Sequence, residues 1–198
     1  TVAYTGANLT VAKATLSITA DAKSKTYGDS DPSLTYAISG LKNSDTSSVV
    51  TGALTRATGE NVGSYAISQG TVAASSNYLV AYTGSNLDVG KRAVTVTANN
   101  VSGTYGTAAL GNGFGVANMA FGETIGAVSF ATNAPTSSAG KYQAGSWSIT
   151  PSAATGGTFN AGNYNVSYAN GTFTVAKATL NVTATGSNKA YNGNASAT

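Results

Sequence analysis

A phrase of eleven residues centred on lysine occurs three times in this chain and constrains its architecture more than any other feature. The copies occupy residues 10–20 (TVAKATLSITA), 88–98 (DVGKRAVTVTA) and 174–184 (TVAKATLNVTA). Their central lysines lie about 80 residues apart, which is the length of a small β module. Self-similarity at a nearly constant period is typical of tandem repeat proteins. We therefore interpret the chain as a slice of a tandem array.

Alternation of apolar with small polar residues dominates the rest of the chain. It is clearest in residues 16–20 (LSITA), 94–98 (VTVTA) and 164–168 (YNVSY). A period of two predicts strands with one buried and one wetted face, as in antiparallel sheets. Gly, Asn, Asp and Ser separate these runs, as turns require. We therefore predict a mostly β fold of tandem small antiparallel modules.

Alignment of the copies gives the module boundaries. The first β module covers residues 13–90 and the second covers residues 91–176. Residues 1–12 match the last strand of a preceding module, and residues 177–198 match the first strand and turn of a following one. Because the junctions are too short to act as flexible Gly/Ser linkers, we expect an elongated, stiff rod.

Each module repeats three short signatures in the same order: a Tyr-Gly turn, a Gly-x-Tyr strand and an Asn-Tyr pair before the last strand. They occupy residues 27–28, 63–65 and 77–78 in the first module and 105–106, 140–142 and 163–164 in the second. The segment between turn and strand predicts one short helix in each module. Ser44 or Asp45 would cap the first, and Gly122 followed by Glu123 would open the second.

Charge is sparse, at 9% of the residues, with a formal net charge of +3. The cations form no patch, whereas nucleic-acid binding needs clustered Lys and Arg. The chain has no cysteine or histidine, which removes disulfides, thiolate metal sites and the commonest general base. The only two glutamates, Glu60 and Glu123, lie in different modules and are expected to be far apart. We therefore expect no enzyme, no cofactor and, since no apolar stretch reaches roughly 18 residues, no membrane span.

The repeated signatures resemble the MBG and YDG repeat families of very large secreted bacterial adhesins. The matching elements include Lys-Ala-Thr-Leu at 13–16 and 177–180, Tyr-Gly-Asp at 27–29 and Asn-Tyr at 163–164. The tail at 189–195 (KAYNGNA) is similar to the YDG variant, with Asn where that family usually has Asp. The resemblance covers the whole chain, as motifs that recur in order at module spacing.

This resemblance implies an extracellular or cell-surface fibre of a filamentous-haemagglutinin-like or biofilm adhesin, with no catalytic residues. The fold it implies is mostly β, with a β-grasp-like topology and one short helix per module. An immunoglobulin-like sandwich remains the alternative.

Two functions fit such a chain. The first is a structural stalk that provides reach and display in adhesion or biofilm formation, with neighbouring modules of the same chain as its partners. The second is a binding module for host or biofilm glycan, or for protein, that would use Trp147, Phe114, Phe159 and the Gly-rich loops of the second module. Exposed strand edges also allow a homotypic partner.

The remaining site candidates are polar. Asp29 and Asp31 resemble the start of a calcium loop, but no further oxygen ligands follow, so a plain Asx turn is the alternative. We predict that Lys13, Lys91 and Lys177 mark the seams between modules, each stem covering the seam while its ammonium stays in water. An intramolecular isopeptide bond from these lysines is the second interpretation. No other metal ligand is predicted.

Overall fold

The computed structural model of the chain describes residues 2–3, 5–186 and 193. Within these residues the strands fall into two groups, one between Ala14 and Gly90 and one between Arg92 and Ala176. The flanking residues 5–13 and 177–186 are exposed and form no strand. Most of the tail motif at 189–195 lies outside the described residues. No helix in the described ranges is long and apolar enough to cross a membrane.

The two groups repeat the same order of strands. In the first they are β1 (Ala14–Ala20), β2 (Lys23–Thr26), β3 (Tyr36–Ser39), β4 (Val50–Thr51), β5 (Thr55–Arg56), β6 (Gly63–Ser68), β7 (Ala73–Ala74), β8 (Tyr78–Thr83) and β9 (Ser85–Gly90). In the second they are β10 (Arg92–Ala98), β11 (Val101–Thr104), β12 (Phe114–Ala117), β13 (Ala127–Thr132), β14 (Gly145–Thr155), β15 (Tyr164–Ala169) and β16 (Gly171–Ala176).

Each module is organised around two long, bent strands that run side by side. In the first module β1 and β2 form one of them, and β8 and β9 form the other, with Gly84 at its bend. The first half of the pair lies in the sheet β3-β1-β8 and the second half in the sheet β2-β9-β6-β5. The second module has the matching sheets β12-β10-β15 and β11-β16-β14-β13, and β4 pairs with β7 in the first module.

The pairing of the long strands favours one of the two predicted topologies. β1 runs parallel to β8, and β2 runs parallel to β9. An immunoglobulin-like sandwich consists of antiparallel sheets. Read through both bends, the order β3, β1–β2, β8–β9, β6 places the parallel first and last strands at the centre, as in a β-grasp sheet. The other strand pairs of the first module are antiparallel, as predicted. The parallel pairing of the first and last strands is the exception, and it is possible because the rest of the module serves as the crossover between them.

The predicted helices were also wrong. In the described residues the only helical turns are two short 3-10 turns, Ser47–Val49 and Ala161–Asn163. The segments where helices were expected contain residues with positive φ, at Asn43 (52°) and Ser44 (63°) in the first module and at Phe121 (52°) and Gly122 (70°) in the second. Left-handed backbone cannot continue a right-handed helix, so both segments form tight loops instead.

Alternation along the strands builds a separate core in each module. Leu16 and Ile18 of β1 are fully buried, and so is Phe173 of β16. Burying such side chains stabilises the fold by about 1.5–3 kcal/mol each. A third cluster of buried residues, described below, draws on both modules.

Strand register corrects one part of the repeat alignment. Tyr65 of β6 lies opposite Leu87, and Trp147 of β14 lies opposite Phe173 in the same position of the second module. The counterpart of Tyr65 is therefore Trp147, and not Tyr142 as the Gly-x-Tyr signature predicts. Trp147 packs at the margin of the second core, whose buried centre is Phe173.

Candidate functional site

The junction between the modules is the part of the molecule with the most specific side-chain chemistry. β9 ends at Gly90 and β10 begins at Arg92, so Lys91 alone connects them. The Tyr-Gly turn that follows β2 lies beside this connection, because the Tyr27 N–H donates to the Gly90 carbonyl at 2.9 Å. The turn is thereby placed against the start of the second module.

A buried apolar cluster, here called the seam cluster, spans the junction. Tyr27 is only 4% exposed, and its ring meets the rings of Phe121 and Tyr164 of the second module edge-on, each at 5.4 Å between centroids. Edge-to-face aromatic pairs contribute about 0.5–1.5 kcal/mol beyond their buried area. Phe121 is itself 65% exposed, and the buried members besides Tyr27 and Tyr164 are Val89 of the first module and Val94 and Ala120 of the second. The two modules therefore share a core at their junction.

Asn163 bridges the modules with its side-chain amide. It is 2% exposed and is the one buried polar residue identified in the described part of the chain. Its Oδ1 accepts from the Val62 N–H at 3.0 Å, and its Nδ2 donates to Asn61 Oδ1 at 2.9 Å. Because an unpaired buried donor costs about 1–3 kcal/mol, this geometry favours one relative placement of the two modules.

Arg92 joins the second module to the Tyr-Gly turn. Its Nε donates to the Tyr27 carbonyl at 2.6 Å, and its guanidinium pairs with the Asp29 carboxylate. Between them lies Gly28, with φ of +87° and so little space that an added Cβ would come within 2.4 Å of the Ala120 Cβ. Glycine is required here by both the left-handed backbone and the close approach.

Glu123 accepts hydrogen bonds from a tyrosine of each module. Tyr27 donates to its Oε1 at 2.8 Å, and Tyr164 donates to its Oε2. Burial and then the bond to Glu123 raise the pKa of Tyr164 to about 12, and the same two causes raise the pKa of Tyr27. Both hydroxyls thus stay protonated at neutral pH and remain donors to the carboxylate.

Next to the seam cluster, four charged side chains of the first module form a closed network. Lys25 Nζ lies 2.6 Å from Asp31 Oδ1 and 2.6 Å from Glu60 Oε2, and its side chain is only 4% exposed. Arg56 contacts the same two carboxylates at 2.6 and 2.5 Å, and its guanidinium lies over the Tyr65 ring.

These contacts shift the ionisation of the network. The hydrogen bond from Arg56, followed by the one from Lys25, lowers the pKa of Asp31. The same two cations, with Lys25 first, lower the pKa of Glu60. The hydrogen bond to Asp31 is the largest of the effects that raise the pKa of Lys25. All four groups are therefore charged at neutral pH.

Acidic residues that are far apart in the sequence lie close together in the structure. Four of the seven acidic residues, Asp29, Asp31, Glu60 and Glu123, lie at the junction. Glu60 lines a cavity of about 280 Å³ together with Phe121, which is two residues from Glu123. The expectation that the two glutamates lie in distant parts of the molecule was therefore wrong, because the loops that carry them both face the junction.

The two aspartates considered as calcium ligands are instead paired with cationic side chains of the protein. Asp31 binds Lys25 and Arg56, and Asp29 binds Arg92. No group of three or more metal-ligating side chains occurs among the residues that the structure describes. The arrangement fits ion pairing at the junction, with the carboxylate charge already compensated.

The three aromatic candidates for ligand contact do not converge. Phe159 packs on Tyr164 in the seam cluster, with 5.4 Å between ring centroids. Phe114 lies beside Phe130 at 6.4 Å, and Trp147 donates from Nε1 to the Gln143 carbonyl at 3.0 Å. Each is partly buried against its own neighbours, so no common aromatic surface forms.

The predicted seam lysines lie at the module ends but in solvent. Lys13, Lys91 and Lys177 are all exposed. The contacts across the junction come instead from residues that the sequence analysis did not assign to it, above all Asn163 and Arg92. Both residues lie in repeated motifs that could have pointed to them, since Asn163 belongs to the repeated Asn-Tyr pair and Arg92 directly follows the central lysine.

Comparison with known families adds the identity of the modules. The family described as MBG domain (YGX type) matches residues 16–88 and again residues 94–174. Each match contains one of the Tyr-Gly turns, at 27–28 and 105–106. Neither curated proteins nor solved structures gave a significant match. The chain therefore belongs to the MBG domain family of the YGX type, and it carries two such domains in tandem.

Proposed function

We propose that the chain is a structural stalk segment of a bacterial cell-surface or secreted adhesin, giving reach and display in adhesion or biofilm formation. The observation that supports this most directly is the buried junction between the domains. A one-residue connection, a shared apolar cluster and the Asn163 bridge together resist bending in a way that a Gly/Ser linker does not.

The strand topology suits a chain that carries tension. In each domain the first and last strands are parallel neighbours, with six paired residues between β1 and β8 and four between β2 and β9. Force applied at the start of β1 and the end of β9 pulls these strands past each other. The ladder is then loaded in shear, so its hydrogen bonds share the force instead of breaking one at a time.

The surface chemistry supports an extracellular setting. Only 9% of the residues are charged, and much of that charge is paired at the junction. The surface therefore depends on Thr, Ser, Asn and Gly for its hydration. Interactions of exposed charges weaken with salt, whereas neutral hydrogen bonding to water changes little. Such a surface would stay hydrated across the ionic strengths that a cell exterior meets.

Distance measurement across the junction tests the stiffness. Because the chain has no cysteine, one spin label at an introduced cysteine in each domain reports their separation without background. A stiff stalk gives a narrow distance distribution, and a Gly/Ser tract inserted at Lys91 broadens it. The same tract inserted in the exposed turn at 138–140 is the control and leaves the distribution narrow. Equal widths in all three proteins would contradict the stalk.

A display experiment tests the biological role. The chain is placed between a surface anchor and a binding tip on bacterial cells, and attachment of the cells to the ligand of the tip is measured. The intact chain should support attachment better than the version loosened at Lys91. On a glycan array the chain alone should bind nothing, and specific capture of a glycan would favour the binding-module alternative instead.

A further inference from the structure

The two faces that meet at the junction carry residues that the matching faces of the other domain lack. The face of the first domain, here called its turn end, consists of the Tyr-Gly turn at 27–29 with Asn61 and Val62. The face of the second domain, here called its loop end, consists of the loop at 119–123 with Arg92, Asn163 and Tyr164. Each domain has a segment at both positions, so the two sets of residues can be compared.

The loops of the two domains share one backbone arrangement. In each loop a backbone N–H donates to the hydroxyl of the tyrosine that begins the last long strand, from Lys42 at 2.9 Å in the first domain and from Ala120 at 3.1 Å in the second. The next residue, Asn43 or Phe121, has the same left-handed φ of 52°. Lys42 and Asn43 therefore occupy the positions of Ala120 and Phe121.

Strand register identifies the counterpart of Arg92. Arg92 lies opposite Tyr164 at the start of β10. Ala14 lies opposite Tyr78 in the same position of β1. The first domain therefore has a methyl group where the second has the guanidinium that pairs with Asp29.

Two of these differences would remove contacts with the Tyr27 turn. Ala14 has no donor for the Tyr27 carbonyl and no charge to pair with Asp29, whereas Arg92 supplies both. Asn43 has no ring to replace the one that meets the Tyr27 ring edge-on at 5.4 Å. A loop end built from first-domain residues would therefore hold this turn by fewer contacts.

The third difference is steric. Gly28 comes so close to the buried Ala120 that an added Cβ would lie 2.4 Å from the Ala120 Cβ. Only a small side chain leaves room for the turn at this distance. The aliphatic stem of a lysine, as at Lys42, would push the turn away or have to bend out of the contact.

The turn of the second domain differs in the complementary way. Thr107 follows its Tyr-Gly turn, where the first domain has Asp29, so it offers no carboxylate to a guanidinium. The lysine phrase after this domain has Ala178 in the position of Arg92. Ala178 and Tyr105 line the same cavity of about 400 Å³, which places these two positions side by side. Acid and base thus occur together at one pair of positions and are both missing at the other.

A second difference between the turn ends concerns the partner of the Asn163 amide. Gln143 matches Asn61, because the carbonyl of each accepts a hydrogen bond from the aromatic residue four positions later. The Gln143 side chain is longer and donates to the Thr136 carbonyl of its own domain at 3.4 Å. It would have to move to accept from Asn163, as Asn61 does at 2.9 Å.

We propose that the junction is specific for the order of the domains. The loop end of the second domain is matched to a turn end of the Tyr-Gly-Asp kind, and neither domain forms this junction with a copy of itself. The residues that determine the order are Arg92, Ala120 and Phe121 on one side and Asp29 and Asn61 on the other. The inference rests on the proposed stalk function and deepens it, because MBG domains in such a stalk are then not interchangeable spacers.

A transplant of loop-end residues in the full chain tests the specificity. The second domain receives the residues of the first through Arg92→Ala, Ala120→Lys and Phe121→Asn, and one spin label in each domain reports their separation. The distance distribution should broaden toward that of the chain loosened at Lys91. Asparagine tolerates the left-handed backbone at position 121, so the loop itself keeps its shape, and an unchanged circular dichroism spectrum checks this.

The reverse transplant is the matched control. Ala14→Arg, Lys42→Ala and Asn43→Phe exchange the same residue types in the loop of the first domain, which lies outside the junction. The distance distribution should stay as narrow as in the unsubstituted chain.

A smaller cycle tests the matched charges without a steric change. Asp29→Thr and Arg92→Ala should each broaden the distribution. The chain with both substitutions, which has the neutral pair found at Thr107 and Ala178, should be no broader than the Arg92→Ala chain, because the two residues act through each other. Additive broadening would overturn the proposal.

The outcomes separate this inference from the proposed function. A narrow distribution after both transplants, or equal broadening by both, overturns the specificity for order and leaves the stalk standing. A broad distribution in the unsubstituted chain overturns both.

Discussion

Replacement of Asn163 by alanine is the most direct perturbation of the junction. The substitution removes the acceptor for the Val62 N–H, at 3.0 Å, and the donor to Asn61, at 2.9 Å. At a site 2% exposed, the lost bonds and the unpaired Val62 N–H together are expected to lower the free energy of unfolding by about 2–3 kcal/mol. Urea denaturation followed by circular dichroism measures the change. The slope of the unfolding free energy against urea concentration should stay the same.

The chain supplies a matched control for this substitution. Asn77 occupies the same position in the first domain but is exposed, so Asn77→Ala should change stability by no more than about 0.5 kcal/mol. Adding Asn61→Ala to each background completes a double-mutant cycle, whose coupling energy with Asn163 should be about 1 kcal/mol. Equal losses for Asn163→Ala and Asn77→Ala, or a coupling energy near zero, would refute the bridging role.

Two further predictions concern crowding and charge at the junction. Gly28→Ala should destabilise by about 1–3 kcal/mol more than Gly106→Ala, because both sites have similar φ (+87° and +93°) but only the Cβ at Gly28 collides with Ala120. Thermal unfolding of the two variants gives the difference, and equal losses would contradict the close approach. Since the pKa values of Asp31 and Glu60 are lowered on folding, their stabilisation is present above the ordinary values of 3.8 and 4.5 and is lost as pH falls through the folded values. On acidification, the Glu60→Gln variant should lose less free energy of unfolding than the unsubstituted chain, by about 0.5 kcal/mol given the exposure of these carboxylates. The same dependence of unfolding free energy on pH in both proteins would count against the network.

Much of the local structure could be predicted from the sequence. Alternation predicted the strands around Leu16, Val94 and Tyr164, because the burial pattern of a strand follows from its own residues. It gave the wrong answer for the loops at 41–45 and 119–123, where left-handed backbone replaces the expected helices. Neither left-handed backbone in a loop nor parallel pairing of the first and last strands produces a periodic pattern of residues that could be recognised in the sequence.

The candidate site was less predictable than the fold. The signatures at 27–29 and 163–164 were recognised as repeated motifs, but their contact with each other was not. Tyr27 and Glu123 are separated by 96 residues, and Val62 and Asn163 by 101. A motif shows that a residue type recurs, whereas its partner depends on which loops the two folded domains bring together.

The sequence by itself determined that the chain is a tandem array of β modules, because repetition and alternation are visible in the order of the residues. Its repeated signatures also resemble the family that matches residues 16–88 and 94–174. Only the tertiary structure decided what joins the modules. The recurrent lysine at the junction, Lys91, lies in solvent, while Arg92, Tyr27 and Asn163 make the contacts. The physical reason is that a junction is stabilised by burial and by the pairing of polar groups that burial isolates from water, and both depend on surfaces that exist only after each domain has folded.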